Sequence, residues 1–179
     1  LTFILLAIAG VMAFVLFMMG RVWWCQVGDL VPWSFEVNSS HNSQHLFDPY
    51  ALSHLQHGIG GFLLFAMLAK YLSFNWRVSI IATLESIWEI VENTPMIINR
   101  YREATISLDY YGDSILNSLS DYGMCLIGIW MVRRMPWKIA LVLFVALEIT
   151  SLLWIRDSLI LNIIMLIAPQ DAIREWQAA

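Results

Sequence analysis

Three carboxylates, Glu85, Glu89 and Glu92, stand at i, i+4 and i+7 in one apolar stretch. A helix there puts all three on one face. Asp113, Asn117 and Asp121 repeat the pattern at i, i+4 and i+8 in a second stretch, and a third holds Glu148 with Arg156 and Asp157 at its end. His54 and His57, three residues apart, open a fourth and are helix neighbours. Carboxylates crowded away from water cannot all stay ionised; they are protonated, paired with a base, or neutralised by a cation. With imidazole they can hold a divalent metal that activates water. Without one, a carboxylic acid beside an ionised partner is an acid–base pair suited to hydrolysis.

The elements that must position these groups read as membrane helices. Of the 179 residues, 59% are hydrophobic and 13% charged, with two cysteines and a net charge of −4. Mean hydropathy is +0.66. Soluble domains run at about 45–50% apolar and about 25% charged, so lipid is the natural solvent for the excess. The small negative charge argues against nucleic-acid binding. Nine Trp and six Tyr suit interfacial belts. A spanning helix needs roughly 20 apolar residues. The predicted fold is all-α, a single polytopic bundle over 1–179 with five full spans at about 2–20, 51–72, 78–93, 114–132 and 137–155. A sixth C-terminal membrane segment, 158–168, covers only about 16 Å at helical rise. Asp171 to Trp176 reads as a surface helical turn, and the first run, lacking a basic flank and a cleavage pattern, as a retained helix.

Basic residues set the expected orientation. Lys70 and Arg77 flank one turn, and Arg133, Arg134 and Lys138 another, with no acidic residue in either. These turns and the N-terminus are assigned to the cytoplasm of a bacterial inner membrane. The stretches Arg21–Tyr50 and Thr94–Asp113, the latter including Asp109, then face the periplasm as loops. Glu85, Asp121 and Glu148 each lie eight residues inside the outer end of their span. That is about 12 Å at helical rise, so three helices offer carboxylates at one depth. Glu89 and Asn117 share the next level out. His54, His57, Glu92, Asn93, Asp113, Arg156 and Asp157 rim it.

Structural alternatives stand beside each reading. Glu, Asp and Asn on facing helices also lock bundles by hydrogen bonding. His41 and His45 read as ordinary loop residues. Cys25, in the same loop, and Cys125, in an apolar run, are not expected to form a disulfide, and no CxxC motif is present.

The stretches SQHLFDPYALSHLQHG (43–58), ESIWEIVENTPMIINRYREATISLDYYGDSILNSLSD (85–121) and IRDSLILNIIMLIAPQDAIREWQ (155–177) resemble the bacterial membrane family catalogued as domain of unknown function 2585. The resemblance implies a small inner-membrane protein and brings no activity with it. A looser similarity is to VanZ-like membrane proteins, with Glu89, Arg100 and Asp113–Asn117 filling their polar positions. It implies a link to envelope lipids or glycopeptide tolerance.

The expected function is an envelope hydrolase or transferase on a lipid-linked substrate at the periplasmic leaflet. Glu85, Glu89, Asp113 and Asp121 are its expected catalytic carboxylates, and His54, His57 and Glu92 its ligands for a divalent metal. Asn93, Arg100, Arg102, Asn117, Arg156 and Asp157 are expected to bind substrate, Arg being suited to anionic headgroups. Membrane lipids are the expected partners. The alternative is a non-catalytic accessory subunit of a larger membrane complex. A transporter ranks below both, because no carboxylate reaches the inner half.

Overall fold

The computed structural model describes residues 1–105 and 110–178. Its helices are α1 (Thr2–Met18), α2 (Ala51–Ala66), α3 (Phe74–Glu92), α4 (Pro95–Ala104), α5 (Ile115–Val132), α6 (Trp137–Ile155), α7 (Leu159–Ile167) and α8 (Asp171–Ala178). The helix starts carry their own signals. Ser73, Ser114 and Ser158 accept hydrogen bonds from Trp76, Asn117 and Leu161 backbone N–H groups at the starts of α3, α5 and α7. Pro95 opens α4, where its missing N–H costs nothing.

The expected five full spans plus a sixth membrane segment are corrected here. Among the described residues, two helices, α5 and α6, are long and apolar enough to cross a membrane. The reason is length and charge. At 1.5 Å per residue, the 16 residues of α2 reach about 24 Å against a hydrocarbon core of about 30 Å. The apolar α1 has 17 residues and α7 has nine. Helix α3 has 19 residues but carries Arg77, Glu85, Glu89 and Glu92. The all-α class stands, and the apolar runs do form helices. The hint of membrane association rests on α5 and α6.

The stretch expected as a loop after α3 contains α4; Ile106, Ser107, Leu108 and Asp109 of that stretch lie outside the described residues. The 51–72 run is helical only to Ala66.

Helices α2 and α5 form the most extensive pair, and α2 also packs on α6 and α3, while α3 packs on α1 and α5. Small residues make the crossing of α2 and α5 possible. A Cβ on Gly58 would stand 1.9 Å from the Cys125 carbonyl oxygen, and one on Gly128 would stand 2.2 Å from that of Leu55. Backbone meets backbone here, as in small-residue helix contacts generally. Leu55, Ile59 and Phe62 of α2, Val78 and Ile81 of α3, and Cys125, Ile129 and Val132 of α5 fill the core beside this crossing. Met12 and Leu16 of α1 join Ala82, Ile115 and Tyr122 in a second cluster.

Candidate functional site

The crossing of α2 and α5, with α3 alongside, brings the polar faces of three helices together. His54 Nδ1 lies 2.7 Å from Glu85 Oε1 and 3.2 Å from Glu89 Oε1, and its Nε2 lies 3.9 Å from Asp121 Oδ2. His57 Nδ1 lies 2.9 Å from Glu85 Oε2. Glu85 is thus held between two imidazoles. Helical spacing explains this: residues three or four apart share a face, so each helix offers its pair to the common interior.

Burial sets the protonation. Desolvation alone would raise Glu85, but the His57 charge and hydrogen bonds from both imidazoles outweigh it and bring the carboxyl down to about 2. Desolvation would lower His54, yet the charges of Asp121 and Glu89 and the Glu85 hydrogen bond hold it well above the ordinary imidazole value. Glu89 moves up, first because it is fully buried.

Satisfaction is uneven. Among the described residues, neither carboxylate oxygen of Glu89 has a hydrogen-bond partner, nor does Asp121 Oδ1. The Glu89 oxygen near His54 is close enough for ion pairing but not aligned for a hydrogen bond. A buried polar atom left unpaired costs about 1–3 kcal/mol, and more if charged. Two overlapping sets of donor atoms converge within 4.8 Å of one another, His54 with His57 and Glu85, and His54 with Glu89 and Glu92. The expected ligands His54, His57 and Glu92 thus fall into two sets that share His54.

A cavity of about 370 Å³ opens onto this cluster. His54, His57, Glu85, Glu92, Asp113, Asp121 and Asp157 are among its lining residues. Ile81, Leu84, Trp88, Leu159 and Ile163 form apolar wall. The cavity is lined by both ionisable and apolar side chains.

The other expected site residues take different places. Asn93 is buried and pairs reciprocally with Asp113: its Nδ2 donates to Asp113 Oδ2 at 2.7 Å, and its Oδ1 accepts from the Asp113 backbone N–H at 2.7 Å. Tyr110 donates to the remaining Asp113 oxygen at 3.0 Å. Burial nevertheless lifts Asp113 above the usual carboxylate range. Asn117 donates to the His45 carbonyl at 2.7 Å. Arg100 donates to the Leu166 carbonyl, tying α4 to α7, and Arg102 lies over the Tyr111 ring at 4.4 Å. Arg156, at a left-handed backbone position, donates to the Trp176 carbonyl. None of the three arginines is among the cavity-lining residues. Glu148 turns elsewhere, accepting from Gln56 Nε2 at 2.8 Å and from the Ile160 backbone N–H.

Asp48 and Tyr101 belong to this region and are not anticipated from the sequence. Asp48 is buried and accepts from the Tyr50 and Ala51 N–H groups where α2 begins. Burial pushes it up to about 6. Its signal is the Asp-Pro pair before an apolar run, which is a helix-start pattern. Tyr101 lines the cavity and donates to Asn162 at 2.8 Å. It sits on α4, the helix expected as loop.

Residues 16–179 match the family described as protein of unknown function (DUF2585). The chain is 45% identical over 177 residues to a UPF0314 protein of Rhizobium meliloti, covering 97% of this chain and 90% of that one. A UPF0314 protein of Paracoccus denitrificans is 43% identical over 178 residues, covering 99% and 91%. One from Sphingopyxis alaskensis is 40% identical over 174 residues, covering 96% and 92%. No solved structure matches.

Proposed function

The chain belongs to the DUF2585 family of proteins of unknown function, and from its own geometry we propose a membrane-associated hydrolase or transferase that works on an amphiphilic substrate with a divalent cation. The observation that carries this reading is Glu89: fully buried, with both oxygens lacking hydrogen-bond partners, beside His54. A dicarboxylate–imidazole cluster of this kind is completed by a hard divalent ion such as Mn²⁺ or Mg²⁺. His54, shared by both donor sets, is the common ligand. Glu89 and Glu92 would supply the rest, Glu85 being already held by His54 and His57. A bound cation makes water nucleophilic near neutral pH and polarises an ester or phosphoryl oxygen. Asp121, 3.9 Å from His54 Nε2 on the facing helix, would steady the imidazole from its far side and leave Nδ1 toward the glutamates.

The substrate class follows from the cavity. Its carboxylates and imidazoles suit a headgroup, and its Ile81, Leu84, Leu159 and Ile163 suit a chain. The apolar helices α5 and α6 support membrane association, with α6 exposing Val142, Val145, Ile149 and Leu153. Arg133, Arg134 and Lys138 lie at the turn joining these helices, which favours a cytoplasmic turn. Asp113 and Asp157, at the opposite ends of α5 and α6, then face the periplasm together with the cavity.

Electron paramagnetic resonance of Mn²⁺ titrated into the purified chain tests the proposal. One bound equivalent is expected for the wild type, with loss in Glu89→Gln, together with release of headgroup from a lipid-linked substrate by the wild type alone. Equal Mn²⁺ binding by both proteins sinks the cation reading.

The same α6 face favours a second reading, a non-catalytic subunit docked on a larger membrane complex. Co-purification with a larger assembly at fixed stoichiometry, undisturbed by Glu89→Gln, supports it; recovery only as a free chain counts against it.

A further inference from the structure

A second cluster lies outside this cavity, in the long segment between α1 and α2. Cys25 and His45 are buried and His41 is half-buried. Cys25 Sγ lies 3.5 Å from His41 Nδ1, and that nitrogen lies 3.1 Å from His45 Nε2. The three donor atoms lie within 4.8 Å of one another. Both cysteines are free, so Cys25 is not committed to a disulfide.

We propose that Cys25, His41 and His45 form a zinc site that clips this segment together. The two separations that involve His41 Nδ1, 3.5 and 3.1 Å, come near tetrahedral edges. With Zn–N of about 2.1 Å and Zn–S of about 2.3 Å, two nitrogens stand about 3.4 Å apart and sulfur stands about 3.6 Å from nitrogen. The second shell is in place. His45 Nδ1 faces the Val31 carbonyl and donates to it, which leaves Nε2 as a lone pair on the side of His41 and Cys25. An imidazole whose far nitrogen is fixed by a carbonyl is the usual form of a metal-ligating histidine. Trp24 packs edge-on to the His45 ring at 5.4 Å and shields it. Ser43, between the two histidines, has φ +57°, and this left-handed turn accompanies the convergence of both rings on one point. Thiolate with imidazole selects zinc over the hard ions suited to the carboxylate cavity. Three protein donors leave the fourth position to water. On binding, the thiol proton is released to solvent and sulfur coordinates as thiolate.

The clip has a structural consequence. The same turn accepts hydrogen bonds from α5: Ser114 N–H donates to the Ser43 carbonyl at 2.9 Å, Ser114 Oγ–H to that of Gln44 at 3.1 Å, and Asn117 Nδ2 to that of His45 at 2.7 Å. Zinc therefore fixes the segment that leads into α2 and seats it on the start of α5. It is a positioning element for the cavity and takes no part in chemistry.

Co²⁺ substitution of the purified full chain, followed by absorbance, is the test. The wild type is expected to show a thiolate-to-cobalt charge-transfer band and the visible bands of a tetrahedral ion, displaced by one equivalent of Zn²⁺. Cys25→Ser should lose the charge-transfer band, and His41→Ala should weaken Zn²⁺ binding by at least tenfold. Glu89→Gln should keep both signals, which separates this site from the carboxylate cavity. Peptide-level alkylation serves where a variant folds poorly: Zn²⁺ should protect Cys25 of the wild type. A charge-transfer band that survives Cys25→Ser, or alkylation of Cys25 unaffected by Zn²⁺, overturns the proposal and leaves a hydrogen-bonded triad only.

Discussion

Two polar regions lie a helix turn apart and are built to opposite rules. Around Asp113, each side-chain oxygen has a donor, from Asn93 and Tyr110, and the Asn93 amide is used at both ends. Around Glu89, which is more deeply buried than Asp113, both oxygens lack a hydrogen bond and Asp121 leaves one oxygen unused. Folding does not tolerate such a deficit without compensation. On the proposed reading the satisfied region is scaffold and the unsatisfied one awaits a ligand.

Breaking the support common to both regions should have the largest effect. Gly58→Ala drives a methyl into the Cys125 carbonyl and forces α2 off α5, so the loss should be about 3 kcal/mol or more. Gly10→Ala on α1, with nothing within 4 Å, is the control and should leave the melting temperature unchanged or slightly raised. Next comes the scaffold alone. Asn93→Ala leaves an Asp113 oxygen and its backbone N–H unpaired, at a cost of about 2–4 kcal/mol in denaturant unfolding.

A third test uses pH on a neighbouring buried carboxylate. Asp157 is lifted from 3.8 to about 6, chiefly by burial, against hydrogen bonds from Ser158, Asn162 and Tyr50 and with Glu148 adding to the rise. The unfolded chain therefore releases this proton first. Stability should fall as pH rises from about 4 to about 6, by on the order of 2–3 kcal/mol from this group, and stay level above. Asp48 contributes in the same window. Asp157→Asn should flatten its share of the slope, and an unchanged slope would remove Asp157 from the account. The smallest stability effect belongs to Glu89→Gln. Replacing a buried carboxyl whose oxygens lack hydrogen bonds by the isosteric amide should leave the melting temperature of the cation-free protein nearly unchanged.

Much of the cluster is legible in the sequence. Glu85, Glu89, His54 and His57 need only the helical period to share faces, and Asp121 on α5 lies 3.9 Å from His54. Glu148 shows where that logic stops: counting residues gives depth along a helix but not its rotation, and this side chain turns to Gln56 and α7. Apolar content locates the helices, yet it overstates the membrane spans, because α2 is short and α3 is charged. The meeting of Cys25 with His41 and His45 comes from an irregular segment with a left-handed turn, and no periodicity encodes it. Helix α4 is masked by its polar Asn99, Arg100 and Arg102, although Pro95 marks its start.

In the proposed function the unsatisfied carboxylates await a cation while the satisfied ones hold the frame. Thermal unfolding of the wild type, Asn93→Ala and Glu89→Gln, each with and without saturating Mn²⁺, tests it directly. Binding at a hundredfold excess over Kd stabilises by about 2.7 kcal/mol. The account predicts an Mn²⁺-induced rise in the wild type, the same rise from a lower start in Asn93→Ala, and none in Glu89→Gln. An equal rise in Glu89→Gln, or no rise in the wild type, contradicts it.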